Sequence, residues 1–271
     1  MNKFSVLMSI YYKENANYFN RAMVSIWDEQ ILKPNEIVLV LDGKLTEELM
    51  QAIFKWKNKL NEIMKIVPLE NNMGLGDALN VGLKECTNEL VARMDTDDIS
   101  LPTRFLEQIE IFNKNNIDLC SSWIDEFDND ENKIISSRKV PEYNEDIIKF
   151  SKMRNPINHP AVMFKKQSVI DAGNYKKMYS FEDYYLWIRM VMNNSKVYNI
   201  QKSLVKMRAG YNQLERRRGW KYLIYEFNFW TSLYNVKFIN FIELLKNLSL
   251  KLLIRLMPRK IIKEIYKIIR D

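Results

Sequence analysis

Cysteine, histidine and glycine are scarce in this 271-residue chain, which has two cysteines, one histidine and seven glycines. So few soft ligands leave no spacing for a zinc or iron–sulfur site, and two thiols cannot build a disulfide scaffold. We expect Cys86 and Cys120 to be small buried apolar residues in a protein of a reducing compartment. The glycines form neither a Walker loop nor a dinucleotide fingerprint, so a phosphorylated ligand would need another means of charge neutralisation.

Long uncharged apolar runs are also missing. No stretch approaches the roughly 18 apolar residues that a membrane-spanning helix needs. Residues 4–12 follow Lys3 and loosely resemble the core of a signal peptide, but Lys13-Glu14-Asn15 comes where small residues would mark a cleavage site. We interpret 4–12 as containing a buried first strand. The expectation is a cytoplasmic protein, or one that lies on a membrane without crossing it.

The net charge of +7 is unevenly distributed along the chain. Residues 208–271 contain 14 Lys and Arg against 5 Asp and Glu, a balance of +9, so residues 1–207 carry 27 against 29, a balance of −2. A nucleic-acid-binding protein seldom concentrates its basicity in this way, and no nucleic-acid module is recognisable. We therefore expect no nucleic-acid partner.

The basic C-terminal region has an amphipathic pattern. After Pro258, five isoleucines fall at helical spacing, while lysines and arginines occupy the other face. Such a helix can lie in the headgroup region of an anionic membrane, here the cytoplasmic membrane surface. The alternative is a helix pair that packs on the preceding domain with a solvated basic face. We divide the chain into a domain of residues 1–207 and a basic amphipathic helical region of residues 208–271.

The first part of the chain alternates strand-like and helix-like segments. Glu36–Leu41 is a continuous apolar run that ends at Asp42-Gly43, which is typical of a strand buried on both faces. Thr46 has the position of a helix N-cap, with two acids in the next turn. The predicted elements are 4–11, 17–30, 36–41, 47–60, 63–69, 76–85 and 89–94. Their alternation predicts an α/β fold with a mostly parallel, doubly wound sheet flanked by helices.

Ligands of such sheets bind beyond the carboxyl ends of the strands. The segments that follow the four predicted strands are 11–14, 42–43, 71–76 and 95–98, and polar and acidic residues concentrate there. Asp95 and Asp97 alternate in an extended segment, so their carboxylates can serve one side of a site. Oxygen ligands suit Mg²⁺ or Mn²⁺, and such an ion could bridge a diphosphate. The alternative is an acidic turn in which Asp98 caps the helix beginning near Leu101-Pro102.

A second acidic pair, Glu182-Asp183, lies among aromatic residues at the start of a predicted helix that ends near 191. One hypothesis is a carboxylate base at the mouth of the site, with aromatic neighbours forming a wall for a ring-shaped substrate. The alternative is a pair of first-turn acids favoured by the helix dipole. His159, before a strand-like segment 161–164, could contact substrate or metal, or be a buried, hydrogen-bonded histidine. Arg93 could pair with an acid or contact a phosphate.

Six ordered segments together resemble a known family: FSVLMSIYYKE, EIVLVLDG, NNMGLGDALNVGL, ELVARMDTDD, RNPINHPAVMF and FEDYYLW. The chain is similar to the family 2 glycosyltransferases of GT-A fold, especially bacterial enzymes of capsular, exopolysaccharide or O-antigen synthesis. The resemblance covers about residues 3–220. It implies a nucleotide-sugar half in residues 1–100 and an acceptor half in residues 101–207.

The resemblance also implies roles for single residues. Tyr11, Glu14 and Gly74 would lie in the nucleotide-binding region, and Asp42 would accept a hydrogen bond from uracil. Asp97 would bind the metal, and Asp95 would face the ribose, the diphosphate and the metal. Asp183 would be the catalytic base, with Glu182 its neighbour. A basic stretch would close over the diphosphate, and it contains Arg208, Arg217 and Arg218.

The sequence thus predicts an inverting, Mn²⁺- or Mg²⁺-dependent glycosyltransferase. The donor would be a nucleotide sugar, with UDP expected, and the acceptor a saccharide linked to undecaprenyl diphosphate at the inner face of the membrane. One alternative is a synthase that transfers sugar to a polyprenyl phosphate. The other is a non-catalytic, membrane-associated scaffold with a transferase-like domain.

Overall fold

The computed structural model describes residues 2–209 and 219–256. Arg217, Arg218 and the segment after Pro258 with its predicted amphipathic helix lie outside the described residues.

Four parallel strands form the first part of the sheet. β1 (Phe4–Ile10), β2 (Glu36–Leu41), β3 (Met64–Pro68) and β4 (Leu90–Arg93) alternate with helices α1 (Ala16–Ile26), α2 (Glu47–Leu60) and α3 (Leu75–Glu85). Their order is β3-β2-β1-β4, and each neighbouring pair is parallel. The predicted doubly wound arrangement is therefore confirmed. The Thr46 hydroxyl accepts a hydrogen bond from the Leu49 N–H, which confirms the predicted N-cap of α2.

α1 ends at Ile26, earlier than the predicted residue 30. The Gln30 side chain folds back and donates hydrogen bonds to the carbonyl of Ser25 at 2.7 Å and of Leu101 at 2.9 Å. The Gln30 side chain is buried, so its amide needs hydrogen-bond partners within the protein, and these two carbonyls supply them. The periodicity of apolar residues along the sequence does not reveal these bonds.

The register of the parallel strands brings their carboxyl ends to one edge. Ile10 lies opposite Leu41, which in turn lies opposite Pro68, while Arg93 of β4 lies opposite Leu7 of β1. The chain segments that follow all four strands leave the sheet at this edge. This is where a ligand of an open α/β sheet is expected.

The second part of the chain adds mainly antiparallel pairing. The strands are β5 (Ile99–Ser100), β6 (Leu119–Phe127), β7 (Ile134–Arg138), β8 (Met163–Lys165) and β9 (Val197–Arg208). β8 lies between β4 and β6 and is antiparallel to both, while β9 is parallel to β6. β5 pairs antiparallel with β9, and β7 pairs antiparallel with β6. The helices are α4 (Arg104–Lys114), α5 (Asn144–Phe150), α6 (Lys166–Asp171) and α7 (Glu182–Met192).

The predicted strand at 161–164 begins later in the structure. His159–Ala161 forms a 3-10 turn in which the Ala161 N–H donates to the Asn158 carbonyl, and the strand β8 starts only at Met163. Pro160 has a fixed φ and no N–H for a strand ladder, so it favours the turn.

Apolar cores cover both faces of the sheet. Phe4, Val6 and Met8 of β1 face the core beneath α1, α2 and α4, whereas Leu7 faces the core beneath α3 and α7. On that second face, α3 lies very close to the sheet. A Cβ placed on its Gly82 would lie 2.5 Å from Leu7 Cδ1 and 2.6 Å from Val40 Cγ2, so this position needs glycine.

A helical hairpin follows the sheet and packs on α7. Its helices are α8 (Gly219–Asn235) and α9 (Phe241–Leu256). Phe229, Trp230 and Leu233 of α8 are buried with Tyr184 and Ile188 of α7. Residues 219–256 of the basic C-terminal region thus form two helices that rest on the sheet domain through α7, whereas Arg208 ends the strand β9.

Both cysteines are buried and reduced, and burial raises the pKa of the Cys86 thiol to about 12. Their predicted role as small buried apolar residues is confirmed. Within the residues that the structure describes, no helix combines the length and apolar character that crossing a bilayer requires.

Candidate active site

The loop after β1 is a tight turn. The Glu14 N–H donates to the Tyr11 carbonyl at 3.1 Å, and both side chains are half-buried. The Tyr11 ring meets the Tyr12 ring edge-on, with centroids 5.8 Å apart. The structure therefore places Tyr11 and Glu14 at the carboxyl edge, as the sequence predicts.

Asp42, directly after β2, fastens the loop that follows β3. One of its carboxylate oxygens accepts from the Met73 N–H at 2.7 Å, and the other accepts from the Asn72 amide at 3.0 Å and the Gly74 N–H at 3.1 Å. The side chain is buried. Asp42 thus holds residues 72–74 in place at the start of α3.

Two glycines permit this loop, for different reasons. Gly43 and Gly74 both have positive φ, +84° and +87°, which suits glycine. A Cβ on Gly43 would also lie 2.7 Å from the Asn72 N, whereas nothing lies within 4 Å of one on Gly74. The open space at Gly74 leaves room for a ligand beside the start of α3.

Arg93 and Asp95 form a fork-to-fork ion pair at the end of β4, in which both guanidinium NH groups donate to the carboxylate. Arg93 is buried, and the neighbouring Arg104 is buried beneath it. Arg104 donates to the carbonyl of Arg93 at 2.7 Å, and burial lowers its pKa to about 9. Arg93 therefore pairs with an acid, and both oxygens of Asp95 are engaged.

Asp97 and Asp98 lack such a partner for their charge. Burial, and after it the nearby carboxylate of Asp95, raises the pKa of Asp97 to about 6. Asp98 is fully buried, and burial places its pKa well above the usual range, with Asp95 and Asp97 adding to the effect. Its Oδ2 has no hydrogen-bond partner among the described residues. This corner of the site is a buried concentration of negative charge.

The expected alternative role of Asp98, as a helix cap, is not what the structure shows. α4 begins at Arg104, and its N-cap residue is Thr103. Asp98 Oδ1 instead accepts from the backbone N–H of Arg208 at 2.8 Å, which ties the residue before β5 to the end of β9. The bond joins residues far apart in sequence, so local pattern could not reveal it.

Arg208 brings a cation to this acidic corner. Its guanidinium lies over the Tyr18 ring at 3.7 Å and the Phe127 ring at 4.6 Å, and its Nε donates to the Asp97 carbonyl at 3.3 Å. Its charge lowers the pKa of Asp97. The aromatic contacts fix the side chain beside the carboxylates.

Asp183 lies in the first turn of α7. Its Oδ2 accepts from the Asn155 amide at 2.8 Å. Burial raises the pKa of Asp183, while the Tyr184 N–H and the Asn155 amide lower it. The neighbouring Glu182 also has a raised pKa, caused by burial. Both acids therefore keep a proton up to a higher pH than an exposed carboxylate does.

Both acidic groups belong to one region of the molecule. A Cβ on Gly76 in α3 would lie 3.5 Å from Cγ of Glu182, so the starts of α3 and α7 meet. The Arg93 charge lowers the pKa of both Asp97 and Asp183. Because α3 starts at the carboxyl edge, Asp183 and the acids after β4 lie at this same edge of the sheet.

His159 is half-buried and hydrogen-bonded, which is closer to the second alternative. Its Nε2 lies 2.9 Å from the Tyr175 hydroxyl, and its ring contacts the Trp187 ring with centroids 5.9 Å apart. Burial holds the pKa of His159 well below its usual range, and the Arg93 charge lowers it further. The imidazole is therefore neutral at pH 7 and forms part of the wall between Arg93 and α7.

The acidic corner fits a divalent cation that is shared with a substrate. The described residues contain no group of three or more side chains that could hold a metal by themselves. Mg²⁺ and Mn²⁺, however, are commonly held by one or two carboxylates, with water and substrate phosphates as the remaining ligands. Asp97, with its raised pKa, and the unpartnered Oδ2 of Asp98 supply oxygen donors whose charge such an ion would offset.

Several residues of this region had no assigned role in the sequence. Asn155 lies in the quoted segment RNPINHPAVMF, but its partner Asp183 is 28 residues away. Arg104 and Gln108 lie one turn apart on the face of α4 that also buries Phe105 and Ile109. Polar residues on a buried helix face are a signal that could have indicated the network under Arg93.

The arrangement of the sheet and helices is that of the GT-A fold. A crystal structure of S. aureus TarS 1-349 in complex with UDP-GlcNAc superposes with a TM-score of 0.64 at 20% identity, covering 86% of this chain and 67% of that chain. This likeness shows the fold, and confirms the predicted fold class.

The family model described as glycosyl transferase family 2 matches residues 5–172. This chain is 39% identical over 266 residues to the Escherichia coli UDP-Gal:alpha-D-GlcNAc-diphosphoundecaprenol beta-1,3-galactosyltransferase, which covers 98% of this chain and 95% of that protein. It is also 39% identical to the amylovoran biosynthesis glycosyltransferase AmsE of Erwinia amylovora, over 97% of this chain and 98% of that protein. The chain belongs to glycosyltransferase family 2, as its resemblance implied.

Proposed function

We propose that this protein is an inverting, metal-dependent glycosyltransferase of bacterial surface polysaccharide synthesis. It would move a sugar from a UDP-sugar to a saccharide linked to undecaprenyl diphosphate. The E. coli relative uses UDP-Gal and an acceptor linked to diphosphoundecaprenol, and AmsE serves amylovoran synthesis, which supports both substrate classes. The TarS complex with UDP-GlcNAc supports UDP as the nucleotide.

The observation that carries the proposal is the presence of two separate acidic groups at the carboxyl edge of the sheet. Asp97 and Asp98 follow β4, and Asp183 lies in the first turn of α7, where it accepts a hydrogen bond from Asn155. A transferase of this kind needs one group for the departing diphosphate and another for the acceptor proton. One cluster of carboxylates could not perform both tasks.

The donor would occupy the space beside β1, β2 and α3. Tyr11 and Glu14 would border the nucleotide, Asp42 would accept from uracil while it holds residues 72–74, and the open side of Gly74 would admit the donor. Asp95, fixed by Arg93, would face the ribose and diphosphate. Asp97, with Asp95 behind it, would hold Mn²⁺ or Mg²⁺, which would supply Lewis-acid stabilisation of the leaving diphosphate.

The basic residues near this corner would serve the same diphosphate. Arg208 is fixed against Tyr18 and Phe127 beside Asp97, so its charge can offset that of the leaving group. We propose that Arg217 and Arg218 belong to the same basic stretch. His159 would support the acceptor side of the wall as a neutral ring.

Asp183 would act as the base. Its carboxylate would remove the proton from the acceptor hydroxyl as the oxygen attacks the anomeric carbon from the side opposite the leaving diphosphate. A single displacement of this kind inverts the anomeric configuration. The raised pKa of Asp183 brings its basicity closer to neutral pH, which favours proton transfer. Glu182 would border the acceptor beside it.

We further propose that the protein lies at the cytoplasmic face of the cell membrane, where a lipid-linked acceptor is found. Residues 1–207 would form the transferase domain, with the nucleotide-sugar half in 1–100 and the acceptor half in 101–207. Residues 208–271 would provide the basic helical contact. Their balance of +9 supports attraction to an anionic leaflet.

The test combines the purified protein with UDP-Gal or UDP-GlcNAc, a synthetic GlcNAc-diphospholipid, and Mn²⁺ or EDTA. We expect a Mn²⁺-dependent disaccharide lipid of inverted configuration, identified by mass spectrometry and NMR. Asp183→Asn should lower turnover by about 10²–10⁴-fold, with UDP affinity retained.

Three results would contradict the proposal. Full turnover by Asp183→Asn would remove the base from its role. Transfer to polyprenyl phosphate alone would instead support the synthase. UDP-sugar binding without turnover of any acceptor, in protein shown to be folded, would favour the scaffold.

A further inference from the structure

The hairpin formed by α8 and α9 exposes an apolar surface on the side away from the transferase domain. On α8, Trp220, Ile224, Phe227 and Tyr234 are separated by four, three and seven residues, so they lie along one helical face. All four side chains are at least 40% exposed. The opposite face of α8 is the one buried against α7.

α9 has the same two-sided character. Ile242, Leu245 and Leu252 are separated by three and seven residues, and each is exposed, with Ile242 the most exposed at 77%. Leu244 and Asn247 face the domain instead, where the Asn247 amide donates to the Lys152 carbonyl at 2.8 Å. The apolar side of α9 therefore also points away from the domain.

The two exposed stripes meet at the turn of the hairpin. The Tyr234 ring of α8 contacts the Phe241 ring of α9, with centroids 6.2 Å apart. We call the combined surface the outer face; its residues are Trp220, Ile224, Phe227, Tyr234, Phe241, Ile242, Leu245 and Leu252. An apolar surface of this extent is unusual on a protein exposed only to water.

The charges around the outer face are positive. Lys221, Lys237 and Lys246 are exposed on the hairpin. Residues 219–256 contain only two acids, of which Glu226 is buried and Glu243 pairs with Lys152 at 2.9 Å. Among the side chains of the hairpin that the structure describes, the exposed charge is thus that of the lysines.

An anionic bilayer fits this combination better than a second copy of the chain. Two outer faces brought together would oppose their lysines, and like charges across an interface repel. A leaflet with anionic lipids attracts lysines, accepts aliphatic side chains and favours Trp and Tyr at the headgroup level. Trp220 and Tyr234 supply these two residue types at separate positions along α8.

We propose that the outer face of the α8–α9 hairpin is the surface by which this protein binds an anionic phospholipid membrane. This inference rests on the proposed function, because a lipid-linked acceptor gives the contact its purpose. Since α8 packs directly on α7, the helix that begins with Glu182 and Asp183, docking would hold the candidate base at a fixed orientation to the bilayer.

The experiment measures co-sedimentation of the full-length protein with vesicles of phosphatidylcholine alone, or of phosphatidylcholine and phosphatidylglycerol in equal amounts. The test variant is Ile242→Glu with Leu245→Glu. The matched control is Ile31→Glu with Ile135→Glu, two equally exposed apolar positions of the transferase domain. We expect the natural protein and the control to bind the anionic vesicles, and the test variant to bind at least about tenfold more weakly.

Each contrary result has a distinct meaning. Equal binding by the test variant and the natural protein would place the contact elsewhere on the chain and overturn the proposal. So would failure of the natural protein to bind either vesicle, or loss of self-association in the test variant, by sedimentation equilibrium, with vesicle binding unchanged. UDP binding and transfer to a water-soluble acceptor should persist in both variants. If the natural protein neither binds UDP nor transfers sugar to the water-soluble acceptor, the result would contradict the proposed function instead of the membrane surface.

Discussion

Two acids that follow β4, Asp95 and Asp97, differ in the charged groups that surround them. Asp95 is paired through both oxygens with the buried guanidinium of Arg93. Asp97, two residues on, is half-buried beside other carboxylates, and its pKa is raised to about 6. A binding site that concentrates like charge lowers stability until its ligand arrives, whereas an ion pair to a buried arginine is costly to break.

We therefore predict opposite stability effects of the same substitution at these positions. In EDTA, Asp97→Asn should raise the melting temperature by about 2 °C, because it removes a crowded charge. Asp95→Asn should lower stability by about 2 kcal/mol, because it leaves Arg93 buried without its counter-ion. Thermal unfolding of both variants measures this. A melting temperature of Asp97→Asn below that of the natural protein would contradict this account. It would show that the contacts of Asp97 stabilise the fold more than the repulsion from nearby carboxylates destabilises it.

Asn155 offers a second prediction at this scale. Its amide donates to Asp183 at 2.8 Å and lowers the pKa of that carboxyl. Asn155→Ala should raise this pKa further. Because a base must be unprotonated to act, the acid limb of the kcat/KM profile should move to higher pH, by about 0.5–1 pH unit.

The control is Asn193→Ala, at the other end of α7, where the amide donates to the Asp171 carbonyl. That variant should keep the natural pH profile. An unmoved acid limb in Asn155→Ala, with Asp183→Asn inactive, would mean that the hydrogen bond does not tune the base.

At the scale of elements, two tryptophans of α8 have opposite surroundings. Trp230 is buried against α7, with its ring 6.3 Å from that of Tyr184, while Trp220 is 75% exposed. Trp230→Ala should destabilise the protein by about 3–5 kcal/mol, since it leaves a large cavity beneath the hairpin. Trp220→Ala should change stability by less than about 0.5 kcal/mol.

Urea unfolding of the two variants checks this difference. Similar losses would contradict the burial of α8 on α7. If Trp220→Ala keeps the stability of the natural protein but binds vesicles more weakly, the result would agree with both the packing of α8 on α7 and the membrane role of the outer face.

The elements differ in how well sequence predicts them. β1, β2 and β4 follow from apolar runs bounded by turn residues, because a parallel sheet buries both faces of such strands. The Thr46 cap is equally local. β5 has two residues and β8 three, and their pairing depends on strands far along the chain, so no local pattern specifies them. The predicted start of β8 at residue 161 is wrong because Ala161 belongs to the 3-10 turn that contains Pro160.

Across the whole molecule, the sequence indicated the candidate site wherever residues follow a strand or begin a helix. Asp42, Asp95, Asp97 and Asp183 all occur at such positions. The partners of Asp42 and Asp183 were not predictable, because Asn72 and Asn155 lie 30 and 28 residues away along the chain. Arg93, the partner of Asp95, is only two residues away, and the sequence did indicate that it could pair with an acid. The outer face was missed because α8 and α9 are apolar on both sides, and only packing shows which side remains exposed.

The most direct test of a metal-dependent UDP-sugar transferase is calorimetric titration of the protein with UDP and GDP, each with Mn²⁺ and with EDTA. We predict that UDP binds with Mn²⁺, that EDTA or Asp97→Ala abolishes this binding, and that GDP binds far more weakly. UDP binding that is equal in EDTA would contradict the metal site at Asp97. A preference for GDP would contradict the role of Asp42 toward uracil, and binding of neither nucleotide by folded protein would contradict the transferase itself.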